Sequence, residues 1–291
     1  MIKDFEYFAP KTVEEALSLL SQYKEEAKII AGGQSMLVVM RQGILAPEYL
    51  IDVKGISALD YINYDEREGL RIGALTIHRA IEKSPVMRNG FSVLAEMENN
   101  LATIQTRNWG TIGGNLCHGD PAGDPAPVFI ALNAKLKLAS KGGERTIDME
   151  EFSKDYLEVA LEPDEMLTEI QVPTPPPHTG TAYEKLMVMK GDMGVVGAAV
   201  SITLSPKNGV CQDARIVLSN AASIPLRARE AEKRLIGKVV KDDLLIEAGE
   251  VASAEADPPS DVHGSVEYRR EMVKVLVKRA ARKALEKAKA G

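Results

Sequence analysis

Ala27-Lys28-Ile29-Ile30-Ala31-Gly32-Gly33-Gln34-Ser35 decides the reading of this chain. A mostly apolar run ends in two glycines, an amide and a hydroxyl. The run from Ala27 to Ala31 predicts a short buried strand. The glycines let the backbone that follows approach a ligand closely. Successive N–H groups in such a turn form a concave anion site able to hold a pyrophosphate. Ser35 to Arg41 predicts a helix, which puts the loop at a helix N-terminus and favours anions. A second pair stands in Thr111-Ile112-Gly113-Gly114-Asn115, followed closely by Gly119-Asp120-Pro121-Ala122-Gly123-Asp124. Neither loop reads G-x-G-x-x-G, so this is not the Rossmann way of holding a dinucleotide. A lone Gly-Gly is ordinarily only a turn. Two loops with matching neighbours favour a ligand without naming it.

Outward from the first loop, Thr12-Val13-Glu14-Glu15 has the form of a capping box and predicts a helix to about Gln22. Tyr49 to Val53 predicts a strand, completing a small α+β unit. A second unit follows. Leu70 to Ala74 alternates like a strand, and helices are expected from Thr76 to Lys83 and from Pro85 to Glu98. The second glycine loop comes next, then a short helix from Pro125 and strands at Lys135–Ala139 and Met166–Val172. Pro173-Thr174-Pro175-Pro176-Pro177 continues neither regular structure and marks a domain boundary. Beyond it, Tyr183–Met189, Val195–Leu204 and Ala214–Leu218 read as strands, with an Asn208-Gly209 hairpin turn. Helices are expected at Arg227–Leu235, Lys241–Ala252 and Ser265–Lys289.

The last helix is strongly basic, which suits a membrane surface or nucleic acid. The simpler reading is a solvated or subunit-facing helix whose inward side holds Met272, Leu276, Ala280 and Ala284. A net charge of −6 opposes an overall nucleic-acid footprint. No apolar run approaches the ~20 residues of a membrane span. Met1-Ile2-Lys3-Asp4-Phe5 carries no signal-peptide pattern, so a cytoplasmic protein is expected. The 291 residues are enough for two modest domains with their own cores.

Chemistry-bearing motifs are few. There is no G-x-S-x-G elbow and no P-loop lysine. Two cysteines, Cys117 and Cys211, cannot ligate an iron–sulfur cluster, which takes four. The four histidines (His78, His118, His178, His263) are scattered, and His118 beside Cys117 suits no usual zinc motif. Both cysteines are read as reduced and structural. Asp120 and Asp124 stand among Gly119, Pro121 and Gly123, a setting for a turn that positions a carboxylate.

At these residues the chain resembles the FAD-binding medium subunit of molybdenum hydroxylases, the group of carbon monoxide dehydrogenase and xanthine dehydrogenase relatives. The resemblance rests on Phe5-Glu6-Tyr7-Phe8-Ala9-Pro10, Ala31–Ser35, Leu50-Ile51-Asp52 and Arg107–Asn115. It continues at Tyr183-Glu184-Lys185-Leu186, Pro225-Leu226-Arg227-Ala228 and Gly264–Arg270. It implies an α+β protein of the PCMH-type, vanillyl-alcohol-oxidase-like flavin fold. Residues 1–55 and 56–176 would be two FAD-binding subdomains. Residues 177–291 would be a C-terminal α+β domain with a small antiparallel sheet.

The same resemblance implies roles for particular residues. Ile29, Ile30, Ala31, Gly32, Gly33, Gln34 and Ser35 would form the first pyrophosphate loop. Thr111, Ile112, Gly113, Gly114 and Asn115 would form the second, their N–H groups facing the same phosphates. Asp124 would bond the ribityl or ribose hydroxyls. Leu101 would give an apolar contact, and Leu167 would lie near the adenine. Lys185, with Asp192 downstream, would sit near the flavin ring, where positive charge stabilises reduced flavin. Relatives of xanthine dehydrogenase carry an arginine between them, where this chain has Met189. Tyr183 is a further candidate to cover the ring. No histidine adjoins the first loop, so FAD would be held noncovalently.

The implied partners are an iron–sulfur small subunit with two-iron clusters and a large subunit with the molybdenum cofactor, in a dimer of heterotrimers. The external electron carrier would be NAD, ferredoxin, quinone or oxygen. The alternative is a self-contained PCMH-type flavin oxidase or dehydrogenase that binds both FAD and a small organic substrate.

Overall fold

The computed structural model describes residues 2–88 and 90–290. Met1, Asn89 and Gly291, which fall in the three expected units in turn, lie outside the described residues.

The chain opens with β1 (Glu6–Phe8), α1 (Val13–Tyr23), β2 (Ala27–Ile30), α2 (Met36–Arg41) and β3 (Tyr49–Asp52). The strands form a parallel sheet in the order β1-β3-β2. Thr12 caps α1 as its sequence predicts, its Oγ1 accepting the Glu15 N–H at 3.2 Å. Glu15 reaches back one residue further than a capping box requires, to the Lys11 N–H at 2.7 Å. Ala16, Leu17 and Leu20 then pack against Ala27 and Ile51 in a small core.

The next stretch runs β4 (Ile62–Asp65), β5 (Gly69–Gly73), α3 (His78–Lys83), α4 (Pro85–Arg88), α5 (Ser92–Asn100), α6 (Ile104–Trp109), α7 (Ile112–His118) and α8 (Pro125–Ala131). It continues with β6 (Lys135–Ser140), β7 (Gly143–Asp148), β8 (Ser153–Asp155), β9 (Glu158–Val159) and β10 (Met166–Val172). Five strands make an antiparallel sheet ordered β4-β5-β10-β6-β7. All six helices are inserted between β5 and β6, and they share the largest core with the sheet. The helix expected from Pro85 to Glu98 is two helices. Phe91 lies between them with φ −124° and its ring buried.

After the proline run come β11 (Thr179–Leu186), β12 (Val196–Leu204), β13 (Cys211–Ser219) and β14 (Leu226–Arg227), in that order in an antiparallel sheet. Helices α9 (Arg229–Leu235), α10 (Asp242–Glu255) and α11 (Val266–Ala290) follow. Every residue of β12 is buried. Side chains alternate across a strand, so both faces must be covered. Ala199 and Val217 join the core of the preceding unit, while Ala198, Val200, Ile216 and Leu218 join that of α10 and α11. On α11 the buried stripe includes Leu276, Ala280 and Ala284, as its spacing predicts, and fully buried Arg269. Among the described residues, no helix is long and apolar enough to cross a membrane.

Candidate functional site

A cleft of about 830 Å³ lies where the first sheet meets the α3–α8 layer. The turn at Gly191–Met193 closes one edge. Its size is that of a small-molecule or cofactor site.

Gly32 to Ser35 line it. Gly33 has φ +70°, the left-handed region that glycine enters at no steric cost. Gln34 Nε2 donates to the Gly32 carbonyl at 3.2 Å and closes the turn. The N–H groups of Gly32, Gly33, Gln34 and Ser35 find no acceptor among the described residues. Unpaired backbone donors beside a cleft need water or a ligand. Gly32 has a further task. A Cβ there would stand 2.1 Å from the Trp109 carbonyl oxygen. Only a bare Cα lets the two sides of the cleft meet.

The second glycine segment corrects the expectation of a loop. Thr111 is an N-cap, and Ile112 to His118 form α7. Its first four N–H groups already have partners. Those of Ile112 and Gly113 donate to the carbonyls of Thr76 and Ala74 at 2.9 Å each. That of Gly114 goes to Thr111 Oγ1 at 3.1 Å, and that of Asn115 to the Thr111 carbonyl at 3.0 Å. The physical reason is close packing: a Cβ on Gly113 would lie 2.7 Å from the Ala74 Cβ and carbonyl oxygen. Ile112 is fully buried in the core and does not line the cleft. Thr111, Gly113, Gly114 and Asn115 do line it.

Asp124, Leu101 and Leu167 also line the cleft, with Ile29, Ile30 and Ala31. Asp124 is buried. Tyr183 donates to its Oδ1 at 2.7 Å, and Lys185 Nζ donates to its Oδ2 at 2.7 Å. Burial pushes the Asp124 carboxyl up, and Lys185 and Tyr183 pull it back down. Each carboxylate oxygen keeps a lone pair for a further donor. Lys185 is expected near the flavin ring, and the structure places it beside Asp124. Its side chain is 3 % exposed, stands behind Asp124 and is absent from the cleft lining. Asp192 meets it through a backbone carbonyl at 2.9 Å, while the Asp192 carboxylate accepts the Met189 N–H. Tyr183, the candidate to cover the ring, is likewise behind Asp124.

His78 and Glu98 escaped the sequence reading. His78 lines the cleft at the start of α3, and its Nδ1 stands 2.9 Å from Glu98 Oε2. Both side chains are buried. No motif links them; only the packing of α3 on α5 brings them together. Cys117 also lines the cleft, and burial pushes its thiol up to about 12, so it stays protonated. Among the described residues, no group of three His, Cys, Asp or Glu side chains is placed to hold a metal. Among the described residues, Lys28 is the one Lys or Arg in the lining, against Glu25, Asp120, Asp124, Glu162, Glu165 and Asp192. An anionic ligand is therefore met mainly by backbone N–H groups.

The chain is similar to known proteins along nearly its whole length. Residues 3–175 match the family described as the FAD binding domain in molybdopterin dehydrogenase. Residues 181–284 match the CO dehydrogenase flavoprotein C-terminal domain. The chain is 36% identical to the carbon monoxide dehydrogenase medium chain of Afipia carboxidovorans, over 98% of each. It is 32% identical to the glyceraldehyde dehydrogenase medium chain of Sulfolobus acidocaldarius, over 95% of this chain and 97% of that one. Its fold superposes with a TM-score of 0.95 on a chain of carbon monoxide dehydrogenase from Hydrogenophaga pseudoflava, at 37% identity and 99% coverage of both. The chain belongs to the family of FAD-binding medium subunits of molybdenum hydroxylases.

Proposed function

We propose that this chain carries electrons through FAD within a molybdenum hydroxylase complex, between iron–sulfur clusters of a small subunit and an external carrier. A large subunit would hold the molybdenum cofactor, and the whole would be a cytoplasmic dimer of heterotrimers. Residues 1–55 and 56–176 would hold the flavin, and 177–291 would close the site. The observation that carries the reading is the row of unpaired N–H groups, Gly32 to Ser35, on a cleft of cofactor size. Relatives named for carbon monoxide and for glyceraldehyde share this one chain architecture. That is what a subunit remote from the organic substrate would show.

FAD, when bound, supplies the exchange between single-electron and paired-electron transfer. The chain's own residues bind and orient it. The N–H groups of Gly32, Gly33, Gln34 and Ser35 receive the diphosphate. Asp124, fixed by Lys185 and Tyr183, accepts from a ribityl or ribose hydroxyl. Leu101 and Leu167 keep water from the apolar walls. No covalent link is needed, so acid precipitation should leave a white pellet and a yellow supernatant.

The test is native purification with mass spectrometry of the subunits that come with the chain, and a visible spectrum of the chain alone. A flavin spectrum with iron–sulfur and molybdenum partners is expected. Bleaching of the flavin by an organic substrate in the partner-free chain would overturn the reading in favour of a self-contained oxidase.

A further inference from the structure

His78 is buried on the cleft wall, 2 % exposed. Its Nδ1 is committed to Glu98, while Nε2 has no partner among the described residues. The ring edge lies at the seam of the two glycine segments. A Cβ on Gly110 would stand 3.2 Å from His78 Cδ2 and 3.5 Å from Gln34 Cγ. The His78 N–H donates to the Gly110 carbonyl at 3.0 Å, which locks the backbone that carries the ring.

A buried carboxylate bonded to one ring nitrogen fixes the tautomer, with Nδ1 as donor. Nε2 then accepts when the ring is neutral and donates when it is charged. An anion brought to the seam would favour the charged ring. Burial pushes the Glu98 carboxyl up, and His78 is the strongest influence pulling it down. The other described charges near the pair are Asp124 at the head of α8, Arg107 on α6, and Arg79, Glu82 and Lys83 on α3 itself. Glu82 already satisfies Arg79, Lys83 and Arg107. Asp124 is satisfied by Lys185. His78 and Glu98 are left to answer a new charge in the cleft.

We propose that His78, held by Glu98, is a ligand-binding residue: its Nε2 donates to the dinucleotide's diphosphate, and the ring takes up a proton as the ligand binds. This rests on the cleft being the FAD site. It adds a titratable donor where α7 supplies no free N–H from Ile112 to Asn115.

The experiment uses the full chain freed of flavin. ADP-ribose is the probe, because its bridging diphosphate does not titrate near neutrality; riboflavin is the flavin-only control. Wild type should bind ADP-ribose about fivefold more weakly at pH 8 than at pH 6, through the histidine range. Calorimetry in two buffers of different ionisation enthalpy should show proton uptake at pH 7.

His78→Gln should weaken binding at pH 6 and flatten the profile, while Glu98→Gln weakens it with the fold intact by circular dichroism. His118→Gln should keep the wild-type slope. A His78→Gln chain with wild-type affinity and slope would overturn the proposal. So would a slope that follows His118, or one seen with riboflavin and absent with ADP-ribose. If His78→Gln fails to fold, proton uptake by wild type decides, and none refutes the proposal. A wild-type chain that binds neither ADP-ribose nor FAD refutes the flavin reading itself.

Discussion

Gly32-Gly33 and Gly113-Gly114 are the same dipeptide, on opposite walls of one cleft, built for different work. In the first, Gly33 turns the chain through a left-handed residue and four successive N–H groups have no partner among the described residues. In the second, the glycines start a helix, and each N–H from Ile112 to Asn115 is already spent inside the protein. The first segment offers bare backbone to a ligand. The second uses Gly113 to press α7 against Ala74, just past β5, and it leaves the ligand to side chains: Thr111, Asn115, Asp124 and His78. A glycine pair therefore specifies close approach, and only the fold says to what.

The largest effect should come from Gly32→Ala. The added Cβ meets a backbone oxygen at 2.1 Å, which no rotamer change relieves. The two walls must part, and the unpaired N–H groups move with them. Flavin binding should weaken by at least about a hundredfold, near 3 kcal/mol. Fluorescence titration of the flavin-free chain measures this. Retained wild-type affinity would mean that Gly32 does not govern how the walls meet.

Lys185→Met attacks the side-chain wall. It leaves the buried Asp124 carboxylate with Tyr183 as its one donor among the described residues. Removing one partner of a buried ion pair costs about 3–5 kcal/mol. Urea unfolding should show that loss, and Asp124→Asn in the same chain should recover part of it. Because Asp124 neutralises Lys185 at 2.7 Å, the flavin potential should fall by less than ~30 mV in a dye-equilibrated titration. A larger fall with unchanged stability would return Lys185 to the ring.

Much of this architecture was legible in the residues. Thr12 announces α1, the proline run separates β10 from β11, and the Asn208-Gly209 turn joins β12 and β13. Fourteen of the sixteen residues expected at the site line the cleft, all but Ile112 and Lys185. What was hidden depends on distant partners. Gly32 meets Trp109, and His78 meets Glu98, across separations that no local pattern encodes. The polar strand β7 lies at a sheet edge and is half-hidden by its own exposure, and α6 is too short and too polar to show a stripe. Lys185 and Asp192 do come together, but through a carbonyl, and spacing cannot distinguish a carbonyl from a carboxylate.

Gly113→Ala should have a smaller and different effect. Its Cβ would crowd Ala74 at 2.7 Å, where α7 packs on the stretch that follows β5. Overpacking of this kind costs about 1–3 kcal/mol. The thermal midpoint should fall by several degrees, at about 2–4 °C per kcal/mol or less for a chain this long. Flavin affinity at low temperature should hold. Loss of flavin without loss of stability would erase the distinction between the two glycine pairs.

The smallest effect tests how the walls are clasped. Trp109 touches the first unit at both ends: its carbonyl lies against Gly32, and its ring lies under Lys54, whose Nζ is 3.4 Å from the ring centroid. The ring is half-exposed, so the cation over its face is partly screened by water. Such contacts contribute about 0.5–1 kcal/mol at exposed sites. Lys54→Met keeps most of the aliphatic stem over the ring and removes the charge. Flavin affinity should fall by about two- to fivefold, the size of that energy at 25 °C. Trp109 is the only tryptophan in the chain, so its emission reports this seam alone. A changed spectrum with unchanged affinity would show that Lys54 merely covers the ring, and that Gly32 by itself closes the cleft.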